Sequence, residues 1–285
     1  MSKKSINKLN GIARQVRYET VRMMAKAGSG HPGGSLSAIE ILTVLYFHEM
    51  NTDPSDPKMP DRDRFVLSKG HAGPALYAVL AEKGFFPREW LDEFDQSGSR
   101  LPKHVNRLKT PGIEVSTGPL GQGFSVAVGM ALAERLDRNY NYRIYTLIGD
   151  GECNSGQIWE AAATAAKYHL DNLICILDKN CLQIDGRCDE IMPMEPLLSK
   201  WVAFNWYVIE VDGHDVEDLL RGLKEAKNVR GKPVMIIANT IKGKGVSFME
   251  NKVEWHSAKI TPDLAKIALS ELEEKMVKKG VNANK

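Results

Sequence analysis

The chain has 285 residues, 43% of them apolar, which is enough to bury a large core, and its 38 basic and 36 acidic side chains are interspersed and nearly cancel. That balance gives no overall electrostatic footprint for nucleic acid or a membrane surface, though local basic patches stay open. The stretch Met1 to Asn10 is polar and lysine-bearing, and no later apolar run approaches membrane-spanning length, so a cytoplasmic protein without signal peptide or transmembrane helix is expected. Cys153, Cys175, Cys181 and Cys188 lie at spacings that fit neither a paired metal-ligand motif nor a secreted disulfide scaffold, and are expected to be reduced and mostly buried.

In chain order, a helix is predicted from about Ile6 to Ala27, where Leu9, Ile12, Val16, Val21 and Met24 recur mostly at three- or four-residue steps. It ends in the glycine loop Gly28 to Gly34. Ser37 followed by Glu40 reads as a capping box opening a second helix that reaches about Glu49. The proline-rich, charged stretch from Asn51 to Arg64 is a surface loop leading into the short apolar segment Phe65 to Leu67. Beyond it, short and nearly continuous apolar runs, Tyr145 to Ile148, Leu173 to Leu177, Trp206 to Val211 and Val234 to Ala238, are separated by helical patterns and fit strands buried on both faces. The expectation is an α/β fold, one domain built as a doubly wound parallel sheet flanked by helices, with an all-helical N-terminal entry. Asn251 opens a loop, followed by a charged helix from about Pro262 to Lys279, partly detached.

The sharpest local signal is Ile148-Gly149-Asp150-Gly151-Glu152, directly after a predicted buried strand. A lone Gly-Asp-Gly marks many ordinary turns. Here it opens a β-α-β unit: a helical stretch from Gln157 to Leu170, the strand Leu173 to Leu177, then Asp178-Lys179-Asn180. Right-handed crossovers make the two strands parallel, so Asp150 and Asn180 both fall just past carboxyl ends, the edge where open α/β sheets bind ligands. One carboxylate, one amide oxygen and nearby carbonyls suit magnesium, which fills its other octahedral positions with water and substrate phosphates.

The pattern Gly-Asp-Gly-Glu, then Asn180 about thirty residues on, resembles the thiamine diphosphate signature. The resemblance implies a cofactor, thiamine diphosphate, held through Mg2+ or another divalent cation bound by Asp150, Asn180 and the Leu182 carbonyl. Four further segments resemble transketolases in order and spacing: Ser29-Gly-His31-Pro-Gly33, Asp63 to Ala72 with Lys69 and His71, Ser116 to Gly123 with Gly118-Pro119-Leu120, and Ile241-Lys242-Gly-Lys-Gly245 leading to Trp255-His256. It implies catalytic roles for His31, His71, His256 and His104, and cofactor contacts from Gly34, Lys69, His71, Gly118, Pro119, Leu120, Asp150, Gly151, Glu152, Asn180, Ile184, Lys242 and His256. The residues agree with such roles: glycines at 28, 30, 33 and 34 let amides approach a phosphate and the helix start adds a dipole, and imidazoles suit proton transfer near neutral pH. Trp255 reads as packing or as a wall of the site, and Lys244 as a solvated surface charge.

In transketolases the glutamate that bonds the aminopyrimidine belongs to a following domain, and that domain is expected to reside on another chain. The resemblance is therefore closest to the N-terminal subunit of a split transketolase. It implies transfer of a two-carbon ketol unit between sugar phosphates, a separate C-terminal subunit that supplies the pyrimidine-binding domain and the glutamate, and a heterotetramer of two of each chain. One departure stands out: Ser155 occupies a position where transketolases commonly carry a glutamate, while Glu160 remains. The same signature occurs in alpha subunits of 2-oxo acid dehydrogenases and in deoxyxylulose phosphate synthases; the His31 loop and the Gly118 segment speak against the first. A non-catalytic regulatory subunit is disfavoured by retention of Asp150, Asn180 and the histidines.

Overall fold

A computed structural model describes residues 2–137 and 142–277. Helix α1 (Lys3–Ala27) begins at Ser2, whose hydroxyl accepts from the Ser5 N–H, and stops where the Gly28 N–H turns back to Ala25. Two short helices follow, α2 (Pro32–Leu36) and α3 (Ile39–Val44), continued by a π-helical turn over Leu45–Glu49. The expected capping box does not form. The Ser37 hydroxyl bonds the Asp178 carboxylate at 2.6 Å and Glu40 pairs with Arg17, so two buried polar networks outcompete local capping and split the predicted helix.

The sheet has five strands, β1 (Arg64–Leu67), β2 (Ile144–Gly149), β3 (Leu173–Lys179), β4 (Tyr207–Asp212) and β5 (Val234–Asn239), in the order β1-β2-β3-β5-β4 and all parallel. The helices α4 (Gly73–Lys83), α5 (Gln122–Asp137), α6 (Gly156–Lys167), α7 (Cys188–Ile191), α8 (Leu197–Ala203), α9 (Val216–Ala226) and α10 (Pro262–Val277) are joined by loops that include short 3-10 turns. Successive strand side chains point to opposite faces. Leu147, Ile176 and Ile236 enter one core with α1, α3, α4 and α9, whereas Ile148, Leu177 and Ile237 enter a second with α5, α6 and α8. Double coverage is why β2, β3 and β5 read as continuous apolar runs. β4, also expected to be buried on both faces, is an edge strand that buries only Ile209 and Val211 and leaves Tyr207, Glu210 and Asp212 exposed.

The last helix is docked, not detached. Ala268, Leu272 and Met276 are buried, and Glu273 accepts from the Tyr18 hydroxyl of α1 at 3.0 Å. Its predicted terminus at Lys279 lies outside the described residues. All four cysteines are free, but only Cys153 and Cys175 are buried; Cys181 is exposed and Cys188 intermediate, because the 181–188 hairpin stands at the edge of the sheet. Among the described residues no helix is long and apolar enough to cross a membrane. Because every strand is parallel, the segments after β1, β2, β3 and β5 all emerge along one edge, and that edge holds the candidate site.

Candidate active site

Strands β2 and β3 are hydrogen-bonded neighbours with Gly149 opposite Asp178, so Asp150 and Asn180 leave the sheet side by side. Asp150 accepts from the Gly151 N–H at 2.8 Å and, with its other oxygen, from the Cys181 N–H at 2.5 Å. Asn180 Oδ1 accepts from the Leu182 N–H at 3.2 Å, which starts the hairpin closed by the Leu182–Arg187 bridge. Burial, and next the charge of Asp178, push Asp150 up to about 6. A buried carboxylate in that position favours a cation beside it.

The cations nearby are both buried lysines. Lys69, just past β1, ion-pairs with Asp178, which also accepts from the Ser37 and Thr240 hydroxyls. Lys242, just past β5, donates to the Leu182 carbonyl at 3.1 Å and the Gln183 carbonyl at 3.2 Å, and lies 3.0 Å from His256 Nδ1. Burial, with Lys69 adding repulsion, pushes Lys242 down to about 8. Glu152 is a tie between segments: one oxygen accepts from Ser68 at 2.5 Å and the Gly121 N–H at 2.8 Å, the other from the Gly149 N–H at 3.0 Å.

Four histidines from four segments meet above this floor. Ring centroids of His31 lie 5.6 Å from His71, 5.4 Å from His104 and 5.8 Å from His256, and His71 and His256 are 5.2 Å apart. Burial first, then neighbouring positive groups, lower His31 and His256 to about 4 and His71 well below its ordinary value; burial, then Lys103, lowers His104. Neutral imidazoles that can each donate and accept are the result at pH 7. His31 Nδ1 is buried with no hydrogen-bond partner. Gly34 makes room for this cluster, since a Cβ there would stand 2.9 Å from His71 Nε2.

These groups line one cavity of about 330 Å³. His31, Gly34, Lys69, His71, His104, Gly118, Leu120, Asp150, Gly151, Glu152, Asn180, Leu182, Ile184, Lys242 and His256 all border it, so the structure brings together every sequence-predicted residue but one. Pro119 is not on the cavity wall, although both its neighbours are. Helix α2 has only five residues, so the expected dipole contribution is slight. Trp255 is buried against Phe248 with ring centroids 5.2 Å apart and is packing, not wall. Lys244 sits at the surface, 3.8 Å from Glu250. Glu160 lies on a separate groove between α5 and α6, and Ser155 stands just before α6 without a side-chain capping bond. Sequence reasoning missed Gly149, Gln183 and Asp185 on the wall and Asp178 beneath it. An aspartate closing the apolar run Leu173 to Leu177 was the available signal for Asp178.

The donor set fits a hard divalent ion with a diphosphate. The oxygens of Asp150, Asn180 and Leu182 border the same space as two lysines, and among the described residues no group of three or more His, Cys, Asp or Glu side chains forms a complete cage. A partial oxygen set of this kind holds Mg2+ with phosphate oxygens and water making up the octahedron. The unpartnered His31 Nδ1, and a buried Lys242 whose ammonium meets only carbonyls and an imidazole and no carboxylate, are groups that a diphosphate and its sugar partner would satisfy.

Residues 9–274 match the family described as the transketolase thiamine diphosphate-binding domain. The chain is 52% identical over 273 residues to the 6-deoxy-6-sulfo-D-fructose transketolase subunit of Clostridium sp. (strain MSTE9), covering 96% of this chain and 98% of that one. It is 44% identical over 262 residues to one subunit of the apulose-4-phosphate transketolase of Phocaeicola vulgatus, covering 92% of each. Among solved structures, transketolase from Campylobacter jejuni superposes with a TM-score of 0.88 at 33% identity, covering 100% of this chain but only 44% of that longer one. The sheet-edge cavity, its oxygen donors and this agreement along the whole length lead to one conclusion: the chain belongs to the transketolase family, as a bearer of its thiamine diphosphate-binding domain.

Proposed function

We propose that this chain is the diphosphate-binding half of a split transketolase, transferring a two-carbon ketol unit from a ketose to an aldose once a second chain adds the pyrimidine-binding domain and its glutamate. The observation that carries the reading is the convergence of Asp150, Asn180, the Leu182 carbonyl, Lys242 and four imidazoles on one cavity. Asp150, Asn180 and Leu182 would hold the cation, while Lys69 and Lys242 balance phosphate charge and Gly118 and Leu120 flank the ring system. When bound, the cofactor supplies a nucleophilic carbon and an electron sink for the two-carbon unit. The chain's own part is proton handling and orientation: His31, His71, His104 and His256, kept neutral by burial, donate to and accept from sugar hydroxyls and exchange their protons. Two copies of each chain is the assembly we favour.

The donor is read first as a ketose phosphate. The relative at 52% identity is named for a ketose ending in a sulfonate, which supports a second reading in which the donor tail is sulfonate instead. Both readings are tested by mixing the chain with its partner, thiamine diphosphate, Mg2+ and an aldose acceptor, and supplying fructose 6-phosphate or 6-deoxy-6-sulfo-D-fructose. Ketol transfer from one donor selects the substrate. A cofactor-loaded pair that transfers from neither sinks the transketolase reading, and turnover of a 2-oxo acid without aldose would replace it.

A further inference from the structure

The Lys242 side chain reaches the cavity from a loop that carries no regular secondary structure, between β5 and the turn at Gly245. On the side away from the cavity, the buried Arg17 and Glu40 and the partly buried His214, from two helices and a loop, grip that loop at both ends. Arg17 of α1 donates from Nε to the Lys244 carbonyl at 3.0 Å and from Nη2 to both Glu40 oxygens, at 2.7 and 2.8 Å. Glu40 of α3 in turn accepts from His214 Nδ1 at 3.0 Å, and His214 Nε2 accepts from the Ile241 N–H at 2.8 Å. Because Nε2 must present its lone pair to that amide, the ring proton sits on Nδ1 and points at Glu40. The carboxylate thus orients the two residues that fix the backbone immediately before and two residues after Lys242.

We infer that Arg17, Glu40 and His214 form a positioning clamp that fixes the Ile241–Gly245 loop and so aims the Lys242 ammonium at the diphosphate. The inference rests on the cofactor reading of the cavity. None of the three lines the cavity, so they act through Lys242 and not on the ligand. The contact is close: Gly245, at φ +100°, lies so near Arg17 that a Cβ would stand 2.5 Å from its Cδ. The loop is also held by the Gly243 N–H to the Gly33 carbonyl at 3.0 Å, by the Asn251 N–H to the Lys242 carbonyl at 2.9 Å and by the Gly245 N–H to Glu250 at 2.9 Å, none of which comes from a buried charge. A buried charge network here is costly to desolvate, and holding the backbone on both sides of a cation that itself meets only carbonyls and an imidazole gives it a use.

The test is a double-mutant cycle read by calorimetric titration of the full chain with thiamine diphosphate and Mg2+. His214→Asn keeps a donor for Glu40 at the place of Nδ1 but has no acceptor that reaches Ile241. The expected results are a rise in Kd of about tenfold for His214→Asn, the loss of about one well-placed charged contact, and a similar or larger rise for Lys242→Met. The double variant should bind no more weakly than Lys242→Met alone, because placement is immaterial once the ammonium is gone. His214→Gln, whose amide oxygen reaches the place of Nε2, should recover most of the affinity. A His214→Asn protein that melts earlier yet binds with unchanged Kd has only a structural residue there, and overturns the clamp. Multiplicative effects in the double variant overturn it too. If Lys242→Met itself leaves Kd unchanged, the assignment of Lys242 to the diphosphate fails first, and the clamp falls with it.

Discussion

Removing the Lys69 ammonium tests whether the floor of the site is held by one buried ion pair. Lys69 and Asp178 have side-chain exposures of 1% and 0%. In Lys69→Met the volume and burial are kept, but Asp178 is left with two hydroxyl donors, Ser37 and Thr240, and no cation. Breaking a buried pair from one side costs about 3–5 kcal/mol, because the remaining charge is desolvated without compensation. Against a typical domain stability of about 5–15 kcal/mol, that is about a fifth of the total or more. Asp178→Asn, which strands the lysine, should cost a comparable amount. The pair Lys69→Met with Asp178→Asn contains no stranded charge, so its loss should fall short of the sum of the singles by about 2–3 kcal/mol. Urea unfolding of the chain without cofactor measures all four proteins, at equal m-value. Singles costing less than about 1 kcal/mol, or a strictly additive double, would refute the reasoning.

Two other expectations follow from charge and burial. Although full burial pushes Glu40 up, Arg17 and His214 outweigh it and hold its carboxyl down at about 2, against an ordinary 4.5. The folded state therefore binds this proton less readily than the unfolded one, giving about 3 kcal/mol that is fully present above pH 4.5 and drains away toward pH 2. Urea titrations from pH 5 to pH 3 should find a shallower loss in Glu40→Gln than in the wild-type chain, and equal slopes would count against the network. For Asp150→Asn, stimulation of thiamine diphosphate binding by Mg2+ should disappear in a metal titration. The apo protein should be no less stable at pH 7, since relief of a carboxyl raised to about 6, worth about 3 kcal/mol, exceeds the bond lost from the Cys181 N–H, about 1 kcal/mol. Retained metal dependence would remove Asp150 from the ligand set.

Much of the site was legible from the chain because its elements are local. Asp150 and Asn180 follow apolar runs short enough to be strands, and a single β-α-β unit forces such strands to be parallel, so their tips share an edge. The glycine-bearing histidine segments are likewise punctuated in the sequence itself. The Ser37–Glu40 capping box failed for the opposite reason: its partners, Asp178 and Arg17, are 141 and 23 residues away, and a rule based on three-residue spacing does not contain them. The docking of α10 was also misread, since a helix with a polar face gives no sign that its few apolar residues meet α1.

What the sequence determined by itself was the class of fold and which residues gather at the sheet edge, because strand period, buried runs and turn residues are written within a few positions of each other. The tertiary structure alone decided the strand order, which carries β5 between β3 and β4 and so brings Lys242 beside Asn180's hairpin. It also decided which charges neutralise one another: Lys69 with Asp178 and Arg17 with Glu40 are joined only by packing, where desolvation makes each buried charge dependent on a partner distant in the chain.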